Sequence, residues 1–198
     1  MSSSVADSIR EIKELLERGP DNLILDAAKF SSYVEELSLR AWLLTKEQTN
    51  FLIYLIRLKA EVSSRADLIL DTEKTLAKKE TAMSKLLEET WEVQEAMAIH
   101  IFSLAAFFHE ELTIDFQINN NEAENFYLKE RKNELKSHIQ ESITMVLVKR
   151  LKNRFLILRR RLLNREILHL RHFMERTNEF RRSIEARWDG AVNAGKDL

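Results

Sequence analysis

Between residues 21 and 189 the sequence contains neither glycine nor proline. These residues punctuate a chain most strongly, and folds built from strands need many tight turns that use them. The three glycines (19, 190 and 195) and the single proline (20) all lie near the two ends of the chain. The sequence therefore predicts an all-α fold made of a few long helices.

Apolar residues recur at alternating intervals of four and three residues from Leu23 to Ile118. Of the 28 positions in this series 21 are apolar, whereas a composition of 44% hydrophobic residues would place about 12 there by chance. This 3.5-residue repeat predicts a helix that packs on another helix as a left-handed coiled coil. We expect thin packing between about residues 63 and 92, and deep burial of the nearly all-apolar segment 96–108.

Capping patterns predict where the helices begin and end. Ser8 with Glu11 would start a short helix over 8–18, which Gly19 and Pro20 end. A long helix should follow over about 22–118, unless a second capping pair, Thr45 with Gln48, breaks it near 45–50. Three asparagines at 119–121 predict a turn, Asn121 with Glu124 a new cap, and Gly190 the end of a second long helix over 122–189. We predict one helical domain over 1–198: an elongated, antiparallel, coiled-coil-like bundle in which a long hairpin carries shorter N-terminal helices.

The charge is distributed unevenly along the chain. Residues 1–118 hold 13 Lys and Arg against 21 Asp and Glu, whereas residues 119–198 hold 18 against 11. On a helical wheel the chain from residue 149 onward shows two apolar stripes and a basic edge, which predicts a bundle helix that touches two neighbours. The first stripe consists of Leu151, Phe155, Leu158, Leu162, Phe173 and Phe180. The second consists of Leu156, Leu163, Ile167, Leu170 and Met174.

The basic edge is the candidate surface for an anionic partner, and it has two interpretations. Its guanidinium groups are able to bind phosphates of lipid headgroups or nucleic acid. Alternatively, the edge is a solvated face that the acidic half of the same chain partly neutralises, which we favour. No aromatic residue interleaves with the exposed arginines, so nucleic acid is not the expected partner. We call this set the arginine edge: Arg150, Arg154, Arg160, Arg161, Arg165 and Arg171.

Aromatic residues concentrate on both sides of the predicted turn. The simplest interpretation is a core at the closed end of the hairpin, and the alternative is an exposed tip that binds a partner. The candidate tip residues are Phe107, Phe108, Phe116, Phe126 and Tyr127.

Candidates for chemistry are few. The chain has no cysteine, no phosphate-binding glycine loop and no nucleophile on a recognisable turn, so we expect neither an enzyme nor a cofactor or metal. Glu166 and His169 form one Glu-x-x-His pair, but a di-iron bundle needs two. His100 and His138 could meet across the hairpin and sense pH.

The pattern as a whole favours protein–protein interaction. We expect a scaffold or assembly subunit that acts through coiled-coil seams, with itself or with another protein. The alternative is a helical dimer that binds an anionic, curved membrane surface. The N-terminus lacks a signal-peptide pattern and the longest uncharged segment, 96–109, is shorter than a membrane span. We therefore expect a soluble intracellular protein, cytoplasmic or peripheral to a membrane.

Overall fold

The computed structural model describes residues 4–120, 125–196 and 198, and these residues contain helices but no strand. The elements are α1 (Val5–Glu17), α2 (Pro20–Leu25), α3 (Ala27–Ser38), a 3₁₀ helix (Ala41–Leu43), α4 (Lys46–Asn120) and α5 (Asn125–Gly195). The two long helices, of 75 and 71 residues, pack against each other as an antiparallel hairpin. The all-α, coiled-coil-like prediction is confirmed.

The first helix begins one turn earlier than the sequence predicts. Ser4 is its N-cap, and the side chains of Ser4 and Asp7 satisfy each other's backbone N–H groups in a capping box. Ser8 is instead buried within α1, so the predicted cap at Ser8 is wrong. A start at Ser4 adds a turn to α1 that includes Val5, and Val5 packs against the core. At the other end Gly19 has a φ of 89° and marks the predicted boundary, but Pro20 already opens α2, two residues before the predicted start at about residue 22.

The break near 45–50 is present, and the chain before it is more interrupted than predicted. The Gln48 N–H donates to the Thr45 hydroxyl at 3.2 Å, and the Thr45 N–H donates to the Gln48 amide oxygen at 3.0 Å. Residues 22–44 form two short helices and a 3₁₀ turn rather than one helix. The reason is tertiary, because α3 packs back on α1 and buries Phe30, Val34 and Leu37.

Gly190 does not end the second long helix, which continues to Gly195. Both glycines face aromatic rings of α4 instead of acting as caps. A β-carbon at Gly190 would lie 3.3 Å from Cδ1 of Tyr54, and one at Gly195 would lie 2.9 Å from Cε2 of Phe51. Close helix packing therefore explains glycine at these two positions. At the turn, α4 ends at Asn120, and the predicted cap of Asn121 with Glu124 lies outside the described residues.

The chain divides into two compact units. Unit 1 comprises Met1–Lys78 with Leu168–Leu198, and unit 2 comprises Lys79–Ile167. In unit 1, α1, α2 and α3 pack with the first part of α4 and the last part of α5 around one large core. That core includes Ile12, Phe30, Phe51, Leu58 and Ile184, all completely buried. The Trp188 indole N–H also donates to the Leu16 carbonyl at 2.9 Å, which ties the last part of α5 to α1.

Unit 2 is a two-helix coil with two small cores. One contains Leu86, Val93 and Leu156, and the other contains Ile114, Leu128 and Leu135. In unit 2 the α4 positions of the 3.5-residue series are buried or half-buried, so that series does form the seam. The α5 seam is weaker because it includes several polar residues: Lys132, Ser142, Lys149, Asn153 and Arg160.

The predicted deep burial of segment 96–108 is wrong. Its members Ile99, Ile101 and Phe102 are 59%, 49% and 76% exposed. An all-round apolar helix needs neighbours on every side, and within unit 2 this helix has one neighbour. Much of its apolar surface therefore faces solvent.

Candidate protein-interaction surface

The arginine edge is exposed along most of its length. Arg150, Arg154, Arg161 and Arg165 are exposed, Arg160 is half-buried at the seam, and Arg171, in unit 1, is exposed. Among the described residues, the five members of the arginine edge from Arg150 to Arg165 form no ion pair, whereas Arg171 does interact with a neighbour. The exposed members therefore form a solvated face, as the favoured interpretation expects, whereas the described residues show no ion pair by which the acidic half of the chain neutralises these five.

Ion pairs between the long helices use other cations. In unit 2 the Arg131 guanidinium bonds Glu110 at 2.9 Å, Lys132 pairs with Asp115, and the Lys79 amine bonds Glu166 at 2.5 Å. The hydrogen bond to Glu110 and, to a smaller extent, the hydrogen bond to Glu134 raise the pKa of Arg131 above its ordinary value. These pairs fix the register of the hairpin, and they leave Arg150, Arg154 and Arg161 available to other groups.

One of the two predicted apolar stripes on α5 is buried, and the other is not. Leu156, Leu163 and Ile167 face α4 in unit 2, whereas Leu151, Phe155, Leu158 and Leu162 are mostly exposed. Phe173 and Phe180, the last members of that stripe, are half-buried in unit 1. Including Val148, the exposed side chains follow alternating steps of three and four residues, and each is between 54% and 67% exposed. The outer α5 stripe consists of Val148, Leu151, Phe155, Leu158 and Leu162.

Exposed cations border the outer α5 stripe on both sides. Lys152 and Arg159 lie along one side, and Arg154 and Arg161 lie along the other. A helical partner for this stripe would need acidic residues beside its own apolar positions, because like charges at flanking positions repel. A second copy of the same α5 stripe would bring arginine against arginine.

A further apolar stripe on α4 was not foreseen from the sequence. It follows the same alternating spacing as the buried seam but is displaced by one residue from it, and the polar Gln94 occupies one position of the series. The sequence does contain this second series of apolar residues. It is hard to recognise because nearly every residue in segment 96–108 is apolar, so that no single face stands out. All of its members are exposed. The lateral α4 stripe consists of Leu87, Trp91, Ala98, Ile101, Ala105, Phe108 and Leu112.

A groove along the helix pair brings the lateral α4 stripe and the arginine edge together. Its volume is about 440 Å³, and it is lined by Met83, Leu87, Ile157, Arg160, Arg161 and Asn164. Residues 150, 154, 157 and 161 share one face of α5 because they are spaced by four, three and four. One side of unit 2 thus presents an apolar wall from α4 and a mixed apolar and arginine wall from α5.

The aromatic residues near the turn do not form a core. Phe108, Phe116, Phe126 and Tyr127 are exposed, the last three by more than 70%. Only Phe107 packs inward, against the cluster of Ile114, Leu128 and Leu135. The core interpretation is therefore wrong for four of the five residues, because α4 and α5 meet along one narrow seam. The tip interpretation stays a prediction.

The histidine hypotheses do not match the geometry. His138 stacks on Phe107 with ring centroids 5.8 Å apart. His100 lies seven residues before Phe107, which is about 10 Å along the helix, so the two histidines do not meet. Glu166 bonds Lys79 rather than a metal-binding partner, and the part of the chain that the structure describes contains no group of three metal-binding side chains.

Helix α4 is apolar enough, by length and composition, to cross a membrane. It contains a stretch of 18 residues with a mean hydropathy of 1.2 and at most two charged residues, although only 6% of that stretch is buried. This stretch is longer than the uncharged segment 96–109 because it includes acidic residues beside that segment. A single helix of this kind also occurs in proteins that never enter a membrane.

No known protein family, curated protein sequence or solved structure matches this chain.

Proposed function

We propose that this chain is an assembly subunit that self-associates by coiled-coil packing through unit 2. The observation that carries the proposal is that apolar residues at coiled-coil spacing lie exposed on both helices of that unit. Contiguous exposed apolar surface of this kind marks interaction sites in folded proteins. Unit 1 has a core of its own, and unit 2 has the exposed apolar surface that a further helix would cover.

The spacing favours a helical partner over an irregular one. The lateral α4 stripe runs from Leu87 to Leu112, about 38 Å at 1.5 Å per residue. A neighbouring helix covers such a stripe continuously, and three or four helices around one axis is the usual outcome. Covering the lateral α4 stripe would also remove Trp91 and Phe108 from water, and aromatic residues contribute strongly to binding.

The test is a mass measurement in solution over a range of protein concentrations. We expect the wild type to be larger than 23.3 kDa, and a Leu87/Ile101/Phe108→Ser variant to be monomeric or much weaker in association. The matched control is Ile53→Ser with Ile56→Ser, because these side chains are 45% and 46% exposed in unit 1. A wild type that stays monomeric at the highest concentrations would contradict the proposal.

A second candidate function is binding to an anionic membrane surface. The observation that favours it is the border of cations on both sides of the outer α5 stripe. Helices that lie in the headgroup region share this pattern, with basic side chains reaching outward from an apolar face. Co-sedimentation with phosphatidylserine vesicles tests it, with Arg150/Arg154/Arg161/Arg165→Glu as the comparison. Absence of binding by the wild type at low salt would exclude this function.

A further inference from the structure

We infer that the helix that covers the groove side of unit 2 comes from a second copy of this chain, and that α4 of each protomer lies on α5 of the other. This inference rests on the proposed self-association and specifies its geometry. It assigns a role to Arg150, Arg154 and Arg161, for which the structure shows no ion pair. Glu88, Glu92 and Glu95 of the second copy would be their partners.

The charges of unit 2 support this pairing. Residues 79–120 of α4 hold 2 Lys and Arg against 8 Asp and Glu, whereas residues 125–167 of α5 hold 12 against 4. Glu88 and Glu95 lie beside the lateral α4 stripe, one position further from the seam, and Glu92 lies next to them. All three are exposed and, within the described part of the chain, none of them forms an ion pair. Each helix thus presents the charge that the other lacks.

Two arrangements of a symmetric pair are possible when the groove sides face each other. If the two-fold axis runs parallel to the helices, α4 faces α5 of the second copy. If the axis runs across the helices, α4 faces α4 and α5 faces α5. In the second arrangement the basic side of α5 faces the basic side of the other copy's α5. The five cations on that side are Lys129, Lys136, Arg150, Arg154 and Arg161. Like charges juxtaposed at an interface disfavour association, so the charges select the first arrangement.

The levels along the hairpin also agree with the first arrangement. Gln94 donates to the Asn153 side chain at 3.4 Å, so these two residues lie at one level. A two-fold axis parallel to the helices leaves every residue of the second copy at the same height along the hairpin as its equivalent in the first copy. Glu88 to Glu95 would therefore face residues from about 150 to 160 of the second copy, where Arg150 and Arg154 lie. Apolar residues match as well, since Ala98 and Ile101 lie at the level of residues 149 and 146, and the apolar residue on the groove side there is Leu147.

Charge reversal tests which helices meet. We expect Glu88/Glu92/Glu95→Lys and Arg150/Arg154/Arg161→Glu each to weaken self-association about 10- to 100-fold, and an equal mixture of the two variants to restore it. If α4 faces α4, either variant alone keeps the same like-charge contacts and associates as the wild type does. The matched control reverses three exposed carboxylates of unit 1, Glu36/Asp67/Asp71→Lys, and should leave association unchanged.

Cross-linking tests the same geometry directly, since the chain has no native cysteine. Copies carrying Ala98→Cys are mixed with copies carrying Leu147→Cys and treated with a short bismaleimide. We expect the mixture to cross-link and Ala98→Cys alone to remain uncrosslinked. Cross-linking of Ala98→Cys to itself would overturn the inferred pairing while self-association stands. A monomeric wild type, with or without binding to phosphatidylserine vesicles, would overturn both this inference and the proposed function.

Discussion

Unit 1 and unit 2 contain parts of the same two long helices, yet they bury their apolar residues very differently. In unit 1 the helices α1, α2 and α3 cover the sides that α4 and α5 leave open, and large side chains such as Phe30 and Phe51 reach zero exposure. The described residues of unit 2 contain no further helix, and Leu135 is the one large side chain among them that is fully buried. The difference shows that two long amphipathic helices suffice for a seam with small buried clusters but not for a large core.

The same contrast explains why the exposed surface lies in unit 2. A helix that is apolar on more than one side needs more than one neighbour. The short helices meet this need in unit 1. In unit 2, Trp91 and Leu112 lie at the spacing of a seam, but no neighbouring helix covers them. We propose that self-association supplies this missing neighbouring helix.

Removal of core side chains should give the largest effect and should separate the two units. We expect Leu58→Ala, in unit 1, to lower the free energy of unfolding by about 2–5 kcal/mol, because Leu58 is completely buried in a large cluster. Leu156→Ala, in the small cluster of unit 2, should cost about 2 kcal/mol or less. Urea unfolding followed by circular dichroism measures both, and Leu151→Ala, at an exposed site, serves as the control. Equal losses at Leu58 and Leu156 would contradict the contrast.

Substitution of a helical glycine should have the next largest effect. Alanine normally stabilises a helix relative to glycine by about 1 kcal/mol. We expect Gly195→Ala to destabilise by about 1–3 kcal/mol, because its β-carbon would lie 2.9 Å from the buried ring of Phe51. A thermal melt measures the change. If Gly195→Ala raises the melting temperature, the close packing at this end of unit 1 is wrong. Gly195→Ala combined with Phe51→Leu should cost less than the sum of the two single losses, because the smaller side chain makes room for the β-carbon.

The hydrogen bond from Trp188 to Leu16 should make a smaller contribution. Trp188→Phe keeps an aromatic ring but removes the indole N–H, and leaves the half-buried Leu16 carbonyl without that donor. We expect a loss of about 1 kcal/mol in the free energy of unfolding. Trp91→Phe, on the exposed lateral α4 stripe, is the matched control in unit 2 and should change stability little. Similar losses for both would show that unit 1 gains nothing specific from this bond.

The capping box of α1 should give the smallest effect and a pH dependence. Hydrogen bonds from the Ser4 hydroxyl and from the Ser4 backbone N–H lower the pKa of Asp7. Its stabilising contribution is therefore present above the unfolded pKa of about 3.9 and disappears as the pH falls through the lower folded pKa. We expect a small loss of stability over that acidic range, which Asp7→Asn should abolish. An identical acid profile for wild type and Asp7→Asn would contradict the role of this box.

Much of the fold follows from residues that act locally. The Gly19 and Pro20 boundary and the seam along α4 follow from spacing and residue type, and the capping pair Thr45 with Gln48 is one of two alternatives that the sequence leaves open. The start of α1 at Ser4 and the continuation of α5 through Gly190 were not predicted. In both cases the relevant contacts are tertiary: the packing of Val5 against the core in the first, and the close approach of Tyr54 in the second.

The candidate surface was only partly predictable for a related physical reason. A wheel shows which side chains share a face, but not whether another helix covers that face. Leu156 and Leu151 have the same chemistry, and the structure buries one and exposes the other. Predicting the lateral α4 stripe would have required knowledge that segment 96–108 has a single neighbour. The arginine edge was recognisable by composition, whereas its lack of internal partners depends on the register of the hairpin.

The bond between Trp188 and Leu16 joins residues 172 positions apart in the sequence. During synthesis, α1, α2 and α3 leave the ribosome long before Ile184 and Ala191, which complete their core. The seam of unit 2, by contrast, joins segments closer in sequence and can close earlier. Unit 1, the better packed unit, is thus expected to form last. Until α5 has been synthesised, the apolar faces of α1, α2 and α3 stay exposed, and chaperones are able to bind them.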